Sequence, residues 1–282
     1  MLTRLTQAEF DQYAPWAYNL AMRPECASYP TWRDGIKTRE DFMERAGRAF
    51  TDEEVLLFRH EGEVCGWIQW FAMPEENYAM TVTFLVESHA AQAAKEFAAH
   101  VARHAAGATL DIGLDGANDQ AVAALERCGF TLLESSVNHT VFFSRYQPAA
   151  VPESVSLMTA ADEADFRRLH DDPDMYWNAE RILADLPNWK VYLHRQERRA
   201  VAALVCRRGE WPEIFSVDFG GEAFRPESYR VLMTACLNDI HGEGHKHMTY
   251  FEEEEQALPV LEELGFCRVG QYKCYRKELK EE

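Results

Sequence analysis

Two stretches, Val55–His60 and Val64–Phe71, are strand-length, largely apolar runs either side of Glu61-Gly62-Glu63. Two such runs about a short Gly-containing turn predict a β-hairpin. Tyr78–Val86 predicts a third strand, the alanine-rich Ala90–Ala105 carries helical spacing, and Thr109–Leu114 reads as a short strand. Asp119–Cys128 predicts a helix, with Asn118 as N-cap and Gly129 as its C-terminal stop. Phe130–Val137 and Thr140–Arg145 then read as two strands.

The same order recurs downstream. Strands are expected at Lys190–Arg195, Ala200–Arg207 and Glu213–Phe219, followed by a helix over Pro226–His241 and a strand over His247–Phe251. A helix starting in the acidic run Glu252–Glu255 and ending near Gly265 comes next, because carboxylates favour a helix N-terminus. Strands Phe266–Gly270 and Tyr272–Lys277 close the pattern. The recurrence is in register. VLLFRHEGEV (55–64) and VYLHRQERRA (191–200) share Val, Leu, Arg and Glu at an offset of 136. ERCGF (126–130) and EELGF (262–266) match at the same offset. Two separated matches at one offset indicate a duplicated fold. QPAAVPE suits a linker, so the expected domains are 1–147 and 154–282.

Composition narrows the partners. The chain has 282 residues with a net charge of -18, and residues 1–150 and 151–282 each carry -9. That acidity disfavours binding to nucleic-acid phosphates or to anionic membrane surfaces. No apolar run is long enough to span a membrane, and MLTRLTQAEF lacks the signal-peptide pattern. Seven cysteines, an odd number with no C-x-x-C spacing, fit a reduced, cytoplasmic protein that uses thiols as core residues. No nucleophile elbow, Walker loop or dinucleotide fingerprint occurs, and His241, His245 and His247 read as a helix-end cluster, so no metal is expected.

Asn118, Ala121, Glu126 and Gly129-Phe130, set in this order of elements, resemble the motif before the sixth strand of the GNAT superfamily of acyl-CoA-dependent N-acyltransferases. Glu254 stands where Asn118 stands, and Gly265-Phe266 is kept. The resemblance spans nearly the whole chain as two copies. It implies an α/β (α+β) fold of two tandem GNAT-like domains, each a mixed, mostly antiparallel sheet flanked by helices. It also implies acetyl-CoA as co-substrate and a small-molecule amine as acceptor. In the family, strand four splays from strand five and its free backbone groups pair with the pantetheine arm. A loop of pattern (Q/R)-x-x-G-x-(G/A) then points its amides at the pyrophosphate, at the positive end of a helix.

In the second half that loop reads Arg225-Pro-Glu-Ser228-Tyr229-Arg230; in the first it reads His89-Ala-Ala-Gln92-Ala93-Ala94. The resemblance therefore implies a cofactor site in the second half, with Phe215, Val217 and Phe219 on strand four, Arg225, Ser228, Tyr229 and Arg230 in the loop, and Glu254 beyond; Asn118 is the counterpart in the first half. Leu125 and Leu261 occupy the position of the family's thiolate-protonating tyrosine. Direct attack by an amine needs a base, because the amine arrives largely as ammonium. Glu213, Asp218 and Glu222 are the candidates in the second half and Glu87 in the first; Tyr272 is the candidate acid, with Tyr229, Tyr250 and Tyr275 as further phenols. The first half is longer by about 17 residues before Val55, and that region holds Trp16, Tyr18, Tyr29 and Trp32. An aromatic wall for a cationic or apolar acceptor is expected there, and Tyr176-Trp177 is its counterpart. The alternative is a GNAT-shaped protein that binds CoA, a metabolite or a protein without transfer.

Overall fold

The computed structural model describes residues 1–51, 53–105, 107–171 and 175–279. The chain forms two compact units, one of residues 1–138 with 269–282, the other of residues 139–268. In the first unit the elements are β1 (Leu2–Arg4), α1 (Gln7–Ala21), α2 (Arg39–Gly47), β2 (Glu54–His60), β3 (Glu63–Met73), β4 (Tyr78–Val86), α3 (Ala90–His104), β5 (Thr109–Asp115), α4 (Asp119–Arg127) and most of β6 (Thr131–Phe142). In the second they are β7 (Val155–Leu157), α5 (Glu163–Leu169), α6 (Ala179–Ala184), β8 (Trp189–Gln196), β9 (Arg199–Arg207), β10 (Glu213–Asp218), α7 (Pro226–Gly242), β11 (His247–Glu252) and α8 (Leu258–Glu263). The last strand, β12 (Phe266–Glu278), ends in the first unit.

Each unit is a sheet between two helical layers. In the first, α1 and α2 bury Ala17, Leu20 and Phe42 on one face of β2–β4, while α3 and α4 bury Phe97, Val101 and Leu125 on the other. In the second, α5 and α6 bury Phe166 and Ile182 on one face, while α7 and α8 bury Leu232, Leu237 and Leu261 on the other. The strands carry apolar side chains on both faces, so β2, β8 and β9 read as near-continuous apolar runs. The hairpins β2–β3 and β8–β9 form where the sequence puts them, in antiparallel register. Gly129 and Gly265 end α4 and the turn after α8 with φ of 80° and 86°, the left-handed conformation that stops a helix cheaply only at glycine.

Three expectations change. The paired strands at the end of each half are single long ones, β6 and β12, because no turn-forming dipeptide separates Val137 from Thr140 or Gly270 from Tyr272. The acidic run does not open a helix: Glu252 ends β11, and α8 starts at Leu258 after a 3-10 turn that Glu254 caps by accepting from the Gln256 amide. The third concerns the last strand. Tyr272–Glu278 pairs antiparallel with Asp115–Thr109 of β5, so the C-terminal residues complete the first unit rather than the second half in which the sequence puts them. The 136-residue repeat marks the duplicated elements but carries no information on which copy's last strand pairs with which sheet.

Candidate functional site

Both units contain the geometry that opens a cleft in a sheet. In the first, β4 pairs in parallel with β5 only over Tyr78–Met80 and Thr109–Asp111, although the strands run on to Val86 and Asp115. In the second, β10 pairs with β11 only through Glu213 with Thr249 and Ile214 with Tyr250. A bulge accompanies each separation. The β3–β4 register shifts at Val82, and the β9–β10 register shifts at Phe215. An extra residue bends a strand and leaves backbone groups unpaired, which is how a ladder is made to diverge.

The two gaps differ in what occupies them. In the first unit, the Phe84 amide donates to Ser28 Oγ, and the Asp115 amide donates to the Ala27 carbonyl at 3.0 Å. Asn118 caps α4 by accepting from the Ala121 amide at 3.2 Å, and its Nδ2 donates to the same Ala27 carbonyl at 3.2 Å. Ala27 and Ser28 are buried, as are β4 residues Thr83–Val86. In the second unit Phe215, Ser216, Val217 and Asp218 are all half-exposed. Among the described residues, none bonds into that gap from the backbone of Ser216–Asp218.

The candidate bases sit along β10 and its loop. Glu213 lies at the start, in the stretch where β10 still pairs with β11 through Thr249. Asp218 lies at the other end, accepting at Oδ2 from Ser216 Oγ and bonded to His170 Nδ1, both at 2.8 Å. His170 Nε2 faces the Trp177 carbonyl at 2.8 Å, and the ring stacks on Phe166. Both ring nitrogens thus meet acceptors, an arrangement satisfied by a protonated imidazole beside a carboxylate. His170 ties α5, β10 and the Trp177 segment together; a lone histidine at a helix end gave the sequence reading no reason to single it out. Glu222 is exposed and ion-paired with Arg225. Glu87 of the first unit pairs with Arg23 at 2.7 Å.

The loop before α7 fits an anion in part. Arg225 is the N-cap of α7 in an extended conformation, and Pro226 opens the helix without sacrificing an amide bond. A surface hollow of about 760 Å³ lies beside it, lined in part by Arg168, Arg199, Glu222 and Arg225. Arg225 is held by Glu222, and Arg230 by Glu263 at 2.5 Å, so neither guanidinium stands alone. Ser228 and Tyr229 are not loop residues facing a ligand but buried residues of the first turn of α7. Ser228 Oγ meets His194 Nδ1 at 3.0 Å, and the Tyr229 hydroxyl donates to Glu252 at 2.7 Å. Phe219 and Phe224 pack edge-on to each other, with Phe224 against the Tyr229 ring. Glu254 and Asn118 both serve as caps.

Tyr272 lies in the first unit, stacked on Tyr29 with ring centres 4.9 Å apart, because β12 pairs with β5. Burial pushes its hydroxyl well up. Tyr229 and Tyr250 are raised by burial in the same way, and Tyr275 is pushed up to about 12 by burial and its bond to Glu126. A phenol raised so far still donates a hydrogen bond but gives up its proton reluctantly.

The expected acceptor wall divides. Trp16 and Tyr18 pack into the core under α1 and α2, and Trp32 meets Phe42 edge-on at 5.3 Å. These three are structural, as the extra residues form their own core against β2 and β3. Tyr29 instead stacks on Tyr272. In the second unit Trp177 packs on Trp189 at 5.1 Å, Trp189 on Phe215 at 5.6 Å, and Arg181 lies over the Tyr176 ring at 4.1 Å. Trp177 and Phe215 therefore line the same side of β10 as His170.

No protein-family model and no curated protein sequence matches the chain. Solved structures do. A GCN5-related N-acetyltransferase from Sphaerobacter thermophilus is 13% identical, covers 99% of this chain and 96% of its own, and has a TM-score of 0.62. A tandem GNAT protein from the clavulanic acid biosynthesis pathway is 13% identical over 99% of this chain and 98% of its own, with a TM-score of 0.54. A GCN5-related N-acetyltransferase from Kribbella flavida, also 13% identical, covers 83% and 92% with a TM-score of 0.53. At such identity the likeness concerns the fold, and it extends over both units. With two units that each carry a bulged, diverging strand pair, this chain has the fold of a tandem GNAT protein.

Proposed function

We propose that the chain is an acyl-CoA-dependent N-acyltransferase that moves an acetyl group from acetyl-CoA to a small amine, with the co-substrate held in the second unit. The observation that carries this reading is the contrast between the gaps. The β10 side of the second is half-exposed and free of intruding bonds from described residues, while the first is filled by residues 27 and 28. In this reading the backbone of Phe215, Val217 and Phe219 holds the pantetheine arm. Arg225 exchanges Glu222 for a phosphate at the α7 N-terminus, where the helix dipole favours an anion. Bound acetyl-CoA supplies the activated acyl group. Glu213, at the closed end of the gap, takes the ammonium proton of the acceptor. Asp218, fixed by His170 and Ser216, orients the amine, and Trp177 and Phe215 exclude water around it. Protonation of the departing thiolate falls to solvent, since Tyr229 is committed to Glu252. Seven free thiols accord with a reducing, cytoplasmic setting.

A second reading, binding without transfer, is favoured by one observation: Arg225 and Arg230 are each neutralised by a carboxylate. The experiment that separates the readings has two arms. Acetyl-CoA at 100 times its dissociation constant adds about 2.7 kcal/mol to the stability of the protein that binds it. Arg225→Ala weakens that effect, and His89→Ala leaves it intact. Release of free CoA in the presence of a panel of primary amines then reports transfer. Stabilisation without release supports binding alone, and no stabilisation by any CoA ester removes the transferase reading.

A further inference from the structure

Where β4 leaves β5, the Phe84 and Asp115 amides point into the gap, and any extended ligand seated there must engage them. Residues of the same unit already do. The Phe84 amide donates to Ser28 Oγ and the Asp115 amide to the Ala27 carbonyl, which also receives Asn118 Nδ2. Cys26, Ala27 and Ser28 are 2%, 0% and 1% exposed, so the segment lies inside the gap rather than across its mouth. Its path is fixed at both ends. The Cys26 and Ala27 amides both donate to the Arg23 carbonyl at 2.9 Å, turning the chain inward after α1. Arg23 pairs with Glu87, just beyond β4, at 2.7 Å. Past the gap, Arg33 pairs at 2.5 Å with Asp115, whose side chain is almost wholly buried. The clasp therefore joins the segment to the ends of both diverging strands.

We propose that Cys26-Ala27-Ser28 is a built-in occupant of the first unit's gap, an internal ligand that excludes an acyl-CoA arm there and leaves a latent second site beneath it. The identity of the excluded ligand rests on the function proposed above; the occupation itself does not. Five polar contacts and full burial make the occupied state the resting one, so the duplicated chain has two gaps and one acyl-CoA site.

The test uses the full chain and the Cys26 thiol as reporter. Burial pushes that thiol up, which slows its alkylation, whereas Cys267 is exposed. Labelling with N-ethylmaleimide, mapped by peptide mass spectrometry, is expected to be at least 100-fold slower at Cys26 than at Cys267. The double variant Arg23→Gln/Ser28→Ala removes two clasps without touching β10. It is expected to raise Cys26 labelling about tenfold and to speed hydrogen exchange at the Phe84 and Asp115 amides, while Cys206 and Cys236 of the second unit stay unreactive. Labelling of wild-type Cys26 at the rate of Cys267, or rapid exchange at the Phe84 and Asp115 amides, overturns the proposal. If the double variant unfolds, Cys206 and Cys236 react too, and the wild-type labelling and exchange rates decide the matter alone. Acetyl-CoA forms a separate arm. It is expected to slow Cys26 labelling in the variant and leave it unchanged in wild type, and slowed labelling in wild type overturns the exclusion. A protein that binds no acetyl-CoA removes the proposed function, while the labelling and exchange results still report on the occupied gap.

Discussion

Replacing Asn118 by alanine removes two interactions at once, and the structure allows each to be weighed. Asn118 is 1% exposed, so neither bond exchanges readily with water. Its Oδ1 caps α4 through the Ala121 amide, and losing an N-cap costs about 1 kcal/mol. The Ala121 amide is buried, and stranding a buried donor moves that cost toward about 2 kcal/mol. The Nδ2 bond to the Ala27 carbonyl adds about 1 kcal/mol. That carbonyl keeps the Asp115 amide, so no second group is orphaned. The sum is roughly 2–3 kcal/mol, and Asn118→Ala should unfold the first unit at correspondingly lower urea in an equilibrium titration. Asn118→Ser keeps a capping oxygen but cannot reach Ala27, so it should cost about 1 kcal/mol. A loss below about 0.5 kcal/mol for alanine, or no recovery with serine, would refute the assignment of both bonds.

Other changes test other parts of the account. Arg198 holds φ of 71° at the turn position where Gly62 holds 91° in the first unit. Arg198→Gly should therefore stabilise the protein by roughly 0.5–1 kcal/mol in urea titration, the relief of left-handed strain less the added freedom of the unfolded chain. Gly129→Ala and Gly265→Ala meet no close neighbour but must keep φ near 80°, so each should cost about 1 kcal/mol, read in the same assay. The group Lys190, Asp239 and Glu243 gives a pH signature. Burial alone would lower the Lys190 ammonium, but its bonds to Asp239 and Glu243 at 2.6 and 2.7 Å raise it. Burial alone would raise Asp239, but Lys190 and Tyr192 bring it below the usual carboxylate range. A lowered carboxylate contributes stability present above its unfolded value and lost as pH falls through its folded one. A raised ammonium contributes stability below its unfolded value that is lost as pH rises through its folded one. Lys190→Met should thus flatten the acid and alkaline limbs of a melting-temperature profile; unchanged limbs would contradict the coupling.

Periodicity carried most of the fold because each element has a strong local signal. The hairpins, the alanine-rich α3 and the Gly-Phe helix ends all form where the pattern puts them. The pairing of β12 with β5 was hidden because both copies have the same alternation there, and strand partners depend on long-range geometry. The site was legible only at backbone level. The gap and the loop before α7 occur at the expected positions, but Ser228 and Tyr229 turn inward, where α7 must bury a face. Ser28 and His170 were not legible because each acts through a bond to a residue distant in the chain, which no spacing encodes. The extra residues before β2 were visible as length and aromatic content, yet their aromatic rings pack a core while a small Ala-Ser pair fills the gap.

The central claim is that acetyl-CoA enters the second unit and not the first. Hydrogen exchange of the whole protein, with and without saturating acetyl-CoA, tests it most directly. The account predicts slowed exchange at the Phe215, Val217 and Phe219 amides and at the start of α7, with no change at Phe84 or Asp115. Protection in β4 and β5 with none in β10 would contradict it.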